Sequence, residues 1–102
     1  MMQEVPDATA VITNPTHYAV AIRYRSGEDE APVVVAKGQD LLAHRIRDLA
    51  REPGGPGLEN KPLARMMYRD VEVGQPIAVS MYQAMAEVLA LVYKLNEQKA
   101  GR

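Results

Sequence analysis

The stretch VITNPTHYAVAI, residues 11–22, places four residues that do not suit a strand between two β-prone runs. Proline has no N–H to donate to a strand ladder, and Asn-Pro pairs favour turns. Apolar residues then alternate from Tyr18 onward, which is the pattern of a half-buried strand. We therefore expect a strand over 10–13, a turn at Asn14–His17 and a second strand within 17–25.

A third strand is predicted by the consecutive valines of Pro32–Ala36. Such a run is typical of a central strand that is buried on both faces, and Lys37-Gly38 should end it. Residues 1–8 are polar and are expected to be loose.

Start signals locate three helices in the remainder of the chain. Asp40 is placed to cap a helix that stops before EPGGPG, residues 52–57. Asn60 is placed to cap a short second helix, and Ser80–Gln83 matches the S-x-x-Q capping box at the start of a third. Strands interleaved with helices indicate an α/β fold, which we expect to be a small mixed β-sheet of about four strands packed with about four helices.

Composition excludes several functions. A chain of 102 residues with a formal charge of −1 should form one domain, and a near-neutral charge gives no pull toward nucleic acid. There are no cysteines, and His17 and His44 lack metal-ligand spacing, so neither a metal nor a cofactor is expected. Because no apolar window is long enough to span a bilayer, the chain by itself should be soluble and cytoplasmic.

The Asn14-Pro15 pair carries the one specific chemistry. The nitrogen of Pro15 has no N–H, so it cannot attack the Asn14 side chain, but the Asn14 side-chain nitrogen can attack its own main-chain carbonyl and expel Pro15. A fold that fixes the Asn14 side chain near that carbonyl would accelerate this cleavage. Thr16 can hold the turn or donate to the developing oxyanion through its N–H or hydroxyl, and His17 can exchange protons as an assisting weak base.

Two other interpretations remain open from the residues alone. In the first, Asn14-Pro15 is only a turn in an uncleaved domain that recruits other proteins. In the second, the chain is a conventional hydrolase using His17 or His44, which is disfavoured because no carboxylate or nucleophile lies at a recognisable spacing. Self-cleavage would be a single turnover without an external substrate, so the chain is not expected to be an enzyme in the usual sense.

The residues around this pair resemble a known family. NPTHYAVAIRY, residues 14–24, is similar to the signature of the FlhB/YscU family of type III secretion export-switch proteins. The motifs AKG, PLAR and AEVLA follow in the same order, so the resemblance covers about residues 10–95. Tyr18 favours the flagellar branch, and the same role in a virulence injectisome is the alternative.

The resemblance implies the C-terminal cytoplasmic domain of a membrane-embedded protein, at the cytoplasmic face of the bacterial inner membrane. Residues 1–9 would then be a linker, residues 10–98 the self-cleaving switch domain and residues 99–102 a tail. Family members cut themselves between the residues that match Asn14 and Pro15. The two pieces should stay together because the strand before the cut remains paired in the sheet.

The function implied is a switch from export of rod and hook proteins to export of filament proteins. The implied partners are an FlhA-like export-gate protein, a hook-length control ruler protein, the export ATPase complex, the exported rod, hook and filament proteins, and the domain's own cleaved N-terminal fragment. The resemblance also implies a substrate-docking patch, although its members are ordinary core candidates too. Its residues are Ala31, Pro32, Ala86 and Leu89.

Two further points follow from the resemblance, and a third, on His44, follows from its place on a predicted helix beside Arg45 and Arg47. Lys37-Gly38 and Pro62–Arg65 match the family and are expected to be structural. EPGGPG departs from it, because the family usually has a short strand there, which makes a strand near Leu58 doubtful. His44 should be a solvated surface residue.

Overall fold

The structure of the chain is a computed structural model that describes residues 1–15, 17–51 and 57–100. Within these ranges it contains four strands, three α-helices and two short 3-10 segments. The strands are β1 (Ala10–Asn14), β2 (Tyr18–Arg23), β3 (Val33–Gln39) and β4 (Gly57–Glu59). The helices are α1 (Leu41–Arg51), α2 (Lys61–Asp70) and α3 (Tyr82–Ala100), and the 3-10 segments are Met2–Asp7 and Val79–Met81. The predicted α/β fold is confirmed.

The four strands form one mixed sheet in the order β3-β2-β1-β4. β1 and β2 pair antiparallel across the turn, so that Asn14 lies opposite Tyr18 and Ala10 lies opposite Ile22. β2 and β3 are also antiparallel, whereas β4 runs parallel to β1. The strand that ends at Asn14 is therefore internal to the sheet, with a hydrogen-bonded neighbour on each side.

The position predicted for β3 was wrong, because β3 is an edge strand and continues through Lys37-Gly38 to Gln39. Its burial on both faces is confirmed, since Val34 and Val35 are almost fully enclosed in two different cores. The open edge is covered near its start by the turn after α2, where the Val34 N–H donates to the Gln75 carbonyl oxygen at 3.0 Å. A loop that pairs with an edge strand protects it as a neighbouring strand would.

The sequence made a strand near Leu58 doubtful, and this expectation was also wrong. Gly57–Glu59 form β4, with Leu58 opposite Ile12 of β1. Residues 52–56 of EPGGPG lie outside the described residues. The pairing is made by main-chain groups and ends where the Asn60 N–H donates to the Thr13 carbonyl oxygen at 3.0 Å, so it does not depend on local β-propensity.

The sheet separates two cores. The first core lies between the sheet and helices α2 and α3, and the second core lies between the sheet, α1 and the Met2–Asp7 segment. β2 serves both, because Val20 and Ile22 point into the first core while Ala19 and Ala21 point into the second. This confirms the alternation predicted for β2.

Residues 1–8 were expected to be loose, and the structure contradicts this. Met2–Asp7 form a 3-10 segment whose Val5 has no exposed surface and packs in the second core with Ile46. Ala8 is buried in the same core and Met2 packs against it, although the polar residues between them made this segment read as loose in the sequence. The division of the chain into a linker, a domain and a tail stays a prediction, and residues 101–102 lie outside the described residues.

Of the three residues predicted to cap a helix through their side chains, one is confirmed. The Asn60 side chain accepts the Leu63 N–H at 3.2 Å and caps α2 as predicted. Asp40 precedes α1, but at the start of this helix it contributes its main-chain carbonyl, which accepts the His44 N–H, and the described hydrogen bonds include none from its side chain. The capping box at Ser80 was wrong, because Ser80 lies inside the Val79–Met81 segment, which begins after Ala78 and has no side-chain cap.

Among the described residues, no helix is both long enough and apolar enough to cross a membrane.

Candidate functional site

The turn predicted at Asn14–His17 joins two paired strands. The His17 N–H donates to the Asn14 carbonyl oxygen at 2.9 Å, which is the hydrogen bond that closes a four-residue β-turn. Pro15 occupies the second position, where its fixed φ suits the common turn types. Thr16 lies outside the described residues, and with it the predicted role of its N–H or hydroxyl.

Asn14 is held by the sheet rather than by a mobile loop. It is the last residue of β1, only 8% of its surface is exposed, and it pairs with Tyr18 of β2. The preceding residue, Thr13, is fixed from the other side by the Asn60 N–H and by Leu58, whose carbonyl oxygen accepts the Thr13 hydroxyl at 3.5 Å. The main chain on the N-terminal side of the Asn14-Pro15 bond therefore has few conformations open to it.

The carbonyl oxygen of Asn14 is the atom that would carry negative charge if the Asn14-Pro15 bond were attacked. It already receives the His17 N–H, so a main-chain donor stands where an oxyanion would form. Sequence reasoning placed this donor at Thr16 and missed the N–H of His17. The one signal available was the spacing of the turn, since the fourth residue of a β-turn is the one that donates.

The His17 side chain is exposed to solvent. Its ring centroid lies 6.4 Å from that of Tyr18, with the two planes inclined by 52°. An exposed imidazole can exchange protons with water, and the assisting role of His17 in proton transfer stays a prediction.

A ring contact connects the strand after the turn to helix α2. The rings of Tyr18 and Tyr68 lie 4.6 Å apart between centroids. The Lys37 Nζ donates to the carbonyl oxygens of Tyr68 and Val71 at 2.9 and 2.8 Å and lies 5.4 Å from the centre of the Tyr68 ring. A cation at the last carbonyls of a helix is stabilising, so Lys37 joins β3 to the C-terminus of α2.

The other family motifs also have contacts that explain their residue types. A Cβ on Gly38 would lie 2.6 Å from the Leu42 side chain, so a larger residue would push α1 away from β3. In Pro62–Arg65, Leu63 and Ala64 are buried in the first core. His44 is exposed, as expected, with its Nδ1 2.6 Å from the Arg47 guanidinium.

The four predicted patch residues line one groove. The docking groove, as we call it, has a volume of about 430 Å³ and runs between α3 and the segment that leads into β3. Ala31 and Pro32 form one wall, and Ala86 and Leu89 form the other. Their role in docking stays a prediction. Sequence reasoning did not include the other lining residues: Tyr24, Glu30, Ile77, Tyr82, Met85, Ala90 and Tyr93.

Three tyrosines are among the residues that line the docking groove. Tyr82 and Tyr93 expose 44% and 48% of their surface, and Tyr24 lies just beyond the end of β2. Half-exposed tyrosines supply large contact area with a polar tip, which is common at protein interfaces. Tyr82 and Tyr93 lie on the same helix as Ala86 and Leu89, so helical spacing was the signal that would have included them.

An ion pair orders the loop before the docking groove. The Arg23 guanidinium binds the Asp29 carboxylate at 3.1 Å, and the Arg25 N–H donates to the same carboxylate at 2.9 Å. The hydrogen bond from Arg23, followed by that from Arg25, lowers the pKa of Asp29 below its usual value. The loop is thus fixed two residues before Ala31.

Comparison with known proteins gives consistent results. A model of the FlhB HrpN YscU SpaS family matches residues 1–92. The flagellar biosynthetic protein FlhB of Salmonella typhimurium is 52% identical over 96 residues, which are 94% of this chain and 25% of that protein. The flagellar biosynthetic protein FlhB of Bacillus subtilis is 48% identical over 98 residues, which are 96% of this chain and 27% of that protein. The chain therefore spans about a quarter of the length of these relatives.

Solved structures agree in fold. The cytoplasmic domain of FlhB from Shewanella putrefaciens superposes with a TM-score of 0.92 at 40% identity, covering 99% of this chain and 78% of that chain. The C-terminal domain of PscU superposes with a TM-score of 0.72 at 49% identity, covering 76% of this chain and 99% of that chain. The chain therefore belongs to the FlhB HrpN YscU SpaS family, and its fold is that of the C-terminal cytoplasmic domains in this family.

Proposed function

We propose that this domain cleaves itself once, between Asn14 and Pro15, and thereby changes which proteins a type III export apparatus accepts. The observation that carries the proposal is the geometry of the turn. The Asn14 carbonyl closes a β-turn at the end of an internal strand and already accepts the His17 N–H at 2.9 Å.

The cleavage is a rearrangement within the chain. The Nδ2 atom of Asn14 bonds to the main-chain carbonyl carbon of Asn14 and closes a five-membered succinimide ring. The bond from that carbon to the Pro15 nitrogen breaks, and the proton lost by Nδ2 passes to this nitrogen, which leaves as a secondary amine. No water is consumed. The His17 N–H stabilises the oxyanion of the tetrahedral intermediate, and the His17 imidazole assists the proton transfer.

The geometry supports rate enhancement by orientation. An amide nitrogen is a poor nucleophile, so the reaction depends on a side chain held close to its own carbonyl. A near-attack arrangement removes up to about 7 to 11 kcal/mol of the barrier. Pairing of Asn14 with Tyr18 and restraint of Thr13 by Asn60 limit the main-chain conformations at the reacting residue.

The cut pieces, residues 1–14 and 15–102, should remain associated. β1 keeps its ladders to β2 and β4 after the cut, and Val11 and Ile12 have no exposed surface. Val5 adds a second buried anchor on the same fragment. Cleavage would therefore free the turn to move without dissolving the fold.

The docking groove supports the export role. Within a longer, membrane-embedded protein at the cytoplasmic face of the bacterial inner membrane, the domain would accept rod and hook proteins before the switch and filament proteins after it. A hook-length ruler protein would give the signal, with the export gate and the export ATPase complex as neighbours. The same role in a virulence injectisome is the alternative. A domain that only docks substrates and stays uncleaved is the second candidate, and the groove is the observation that favours it.

The first test is the denatured intact mass of the purified chain beside Asn14→Ala and Asn96→Ala. Asn96→Ala is a matched control, since it removes the same side chain from helix α3. Wild type and Asn96→Ala should give fragments 1–14 and 15–102, while Asn14→Ala stays whole. A fresh 1–14 fragment should be lighter by one water molecule than the product of hydrolysis, because it ends in a succinimide.

Three results would contradict the proposal. A wild-type chain that stays whole on prolonged incubation would leave only the docking role. Fragments that carry the added water from the first time point, or cleavage that persists in Asn14→Ala, would indicate hydrolysis by a protease instead of cyclisation.

A further inference from the structure

Asp40, the residue between β3 and α1, contacts the Asn14–His17 turn through its main chain. Its N–H donates to the His17 carbonyl oxygen at 2.9 Å. Its own carbonyl oxygen accepts the His44 N–H at 3.1 Å, in the first turn of α1. Asp40 therefore links the turn to a helix that is distant from it in sequence.

The conformation of Asp40 is unusual. Its φ of 53° is the only positive φ outside glycine among the described residues. This left-handed region is costly for residues with a Cβ, least so for Asn and Asp, and a genuine outlier for β-branched residues. The conformation matters because φ sets the direction in which the chain leaves Asp40, so a change to an ordinary negative value would force either α1 or the peptide group that carries the Asp40 N–H to move.

Packing on both sides imposes this conformation. Before Asp40, Gln39 pairs with Tyr18 at the end of the β2–β3 ladder. After it, Leu42 of α1 lies against Gly38, where an added Cβ would come within 2.6 Å. A residue held between a strand and a helix can position its N–H more firmly than a residue within a free loop.

We propose that Asp40 is a positioning residue for cleavage of the Asn14-Pro15 bond, an inference that rests on the proposed function above. Asp40 touches none of the reacting atoms and acts through His17. It holds the His17 carbonyl, while the N–H of the same residue faces the Asn14 carbonyl oxygen. Release of the carbonyl lets His17 rotate, and its N–H then leaves the position where negative charge develops.

The first measurement is the first-order rate of cleavage, followed by intact mass. Asp40→Val disfavours the left-handed conformation and should slow cleavage about tenfold or more. Asp40→Asn tolerates that conformation and should restore the rate to within about twofold of wild type. Asp48→Val makes the same chemical change at an exposed position of α1 and is the matched control. Equal rates for Asp40→Val and Asp48→Val would overturn the inference.

A second measurement separates this inference from the cleavage itself. In the Asn14→Ala chain, which should stay whole, NMR hydrogen exchange reports the protection of the His17 N–H. Asp40→Val should speed this exchange about tenfold, and Asp48→Val should not, with all chains compared at a temperature where circular dichroism shows them folded. Unchanged exchange in Asp40→Val overturns the role of Asp40 whether or not the wild type cleaves.

The two failures are therefore distinguishable. A wild-type chain that never cleaves, with exchange at His17 still accelerated by Asp40→Val, would refute the proposed cleavage and the part that Asp40 has in it. It would leave the restraint of the turn by Asp40 standing as a structural fact.

Discussion

The turn at Asn14–His17 and the docking groove are formed by different kinds of group, main-chain groups in the turn and side chains in the groove. Main-chain hydrogen bonds hold the turn, at the carbonyl oxygens of Thr13, Asn14 and His17. Side chains of α3 and of the segment before β3 make the groove. The turn should thus respond to substitutions that change φ or remove an N–H, whereas the groove should respond to substitutions that change shape or charge.

The largest effect should come from His17→Pro. Proline removes the N–H that faces the Asn14 carbonyl oxygen, and loss of one such donor costs about a hundredfold in rate. His17→Ala keeps that N–H and removes only the assisting imidazole, so it should cleave within about tenfold of wild type. Time courses of intact mass measure both rates. Equal slowing by the two variants would mean that the imidazole, and not the main chain, is what His17 contributes.

The converse test is Ala86→Glu, which puts a carboxylate into an apolar groove and leaves the turn untouched. Desolvation of this charge should weaken binding of a purified hook-type export substrate about tenfold or more, while the rate of cleavage stays at the wild-type value. Leu91→Glu, on the same helix but outside the groove lining, is the control for added charge. Equal loss of binding in both variants would exclude the groove as the docking surface.

Lys37→Met tests the connection between the turn side of the sheet and α2. It removes the cation that caps the carbonyls of Tyr68 and Val71, and should lower the free energy of unfolding by about 1 kcal/mol. Lys61→Met, an exposed lysine in the first turn of α2, should be near neutral. Urea unfolding in the Asn14→Ala background measures both. In the chain that keeps Asn14, a large loss of cleavage in Lys37→Met, with no loss of stability in the Asn14→Ala background, would instead place Lys37 in the reaction.

The smallest expected effect is a pH dependence of the stability that Asp29 contributes in the loop before the docking groove. The pKa of Asp29 is lowered in the folded chain by Arg23 and Arg25, so its contribution to stability is present above about pH 4 and disappears as the pH falls through the lowered value. Wild type should therefore lose its advantage over Asp29→Asn in thermal unfolding as the pH is reduced below about 4. An advantage that persists at the lowest pH would show that packing, and not charge, orders this loop.

Local patterns predicted the elements that depend on local chemistry. β-prone residues identified β1, alternation identified β2, and Asn60 was placed correctly as a cap because capping involves only the next three residues. The chemistry of the Asn14-Pro15 pair suggested self-cleavage there, and the resemblance of NPTHYAVAIRY to a family implied the same cleavage and the four patch residues, all of which stay predictions. Those patch residues come from two distant segments, and no periodicity links them.

Errors arose where a distant partner decides the structure. Leu58 became a strand residue because β1 offered main-chain groups to pair with. β3 is an edge strand because β2 pairs with one side of it, whereas its other side is hydrogen-bonded near its start by the turn after α2. Val5 became a core residue because α1 provided a surface for it. Ser80 does not act as the predicted N-cap because it lies inside the Val79–Met81 3-10 segment, whose N-cap residue is Ala78.

The sequence by itself determined an α/β domain with a proline-fixed turn between two strands, and it placed an Asn where cyclisation is chemically possible. Only the tertiary structure decided that the strand ending at Asn14 is internal, that His17 presents its N–H to the Asn14 carbonyl, and that Asp40 adopts a left-handed conformation against His17. The physical reason is the range of the interactions. Turn chemistry and helix caps act over a few residues, whereas strand order and main-chain contacts between distant segments depend on how the whole chain packs.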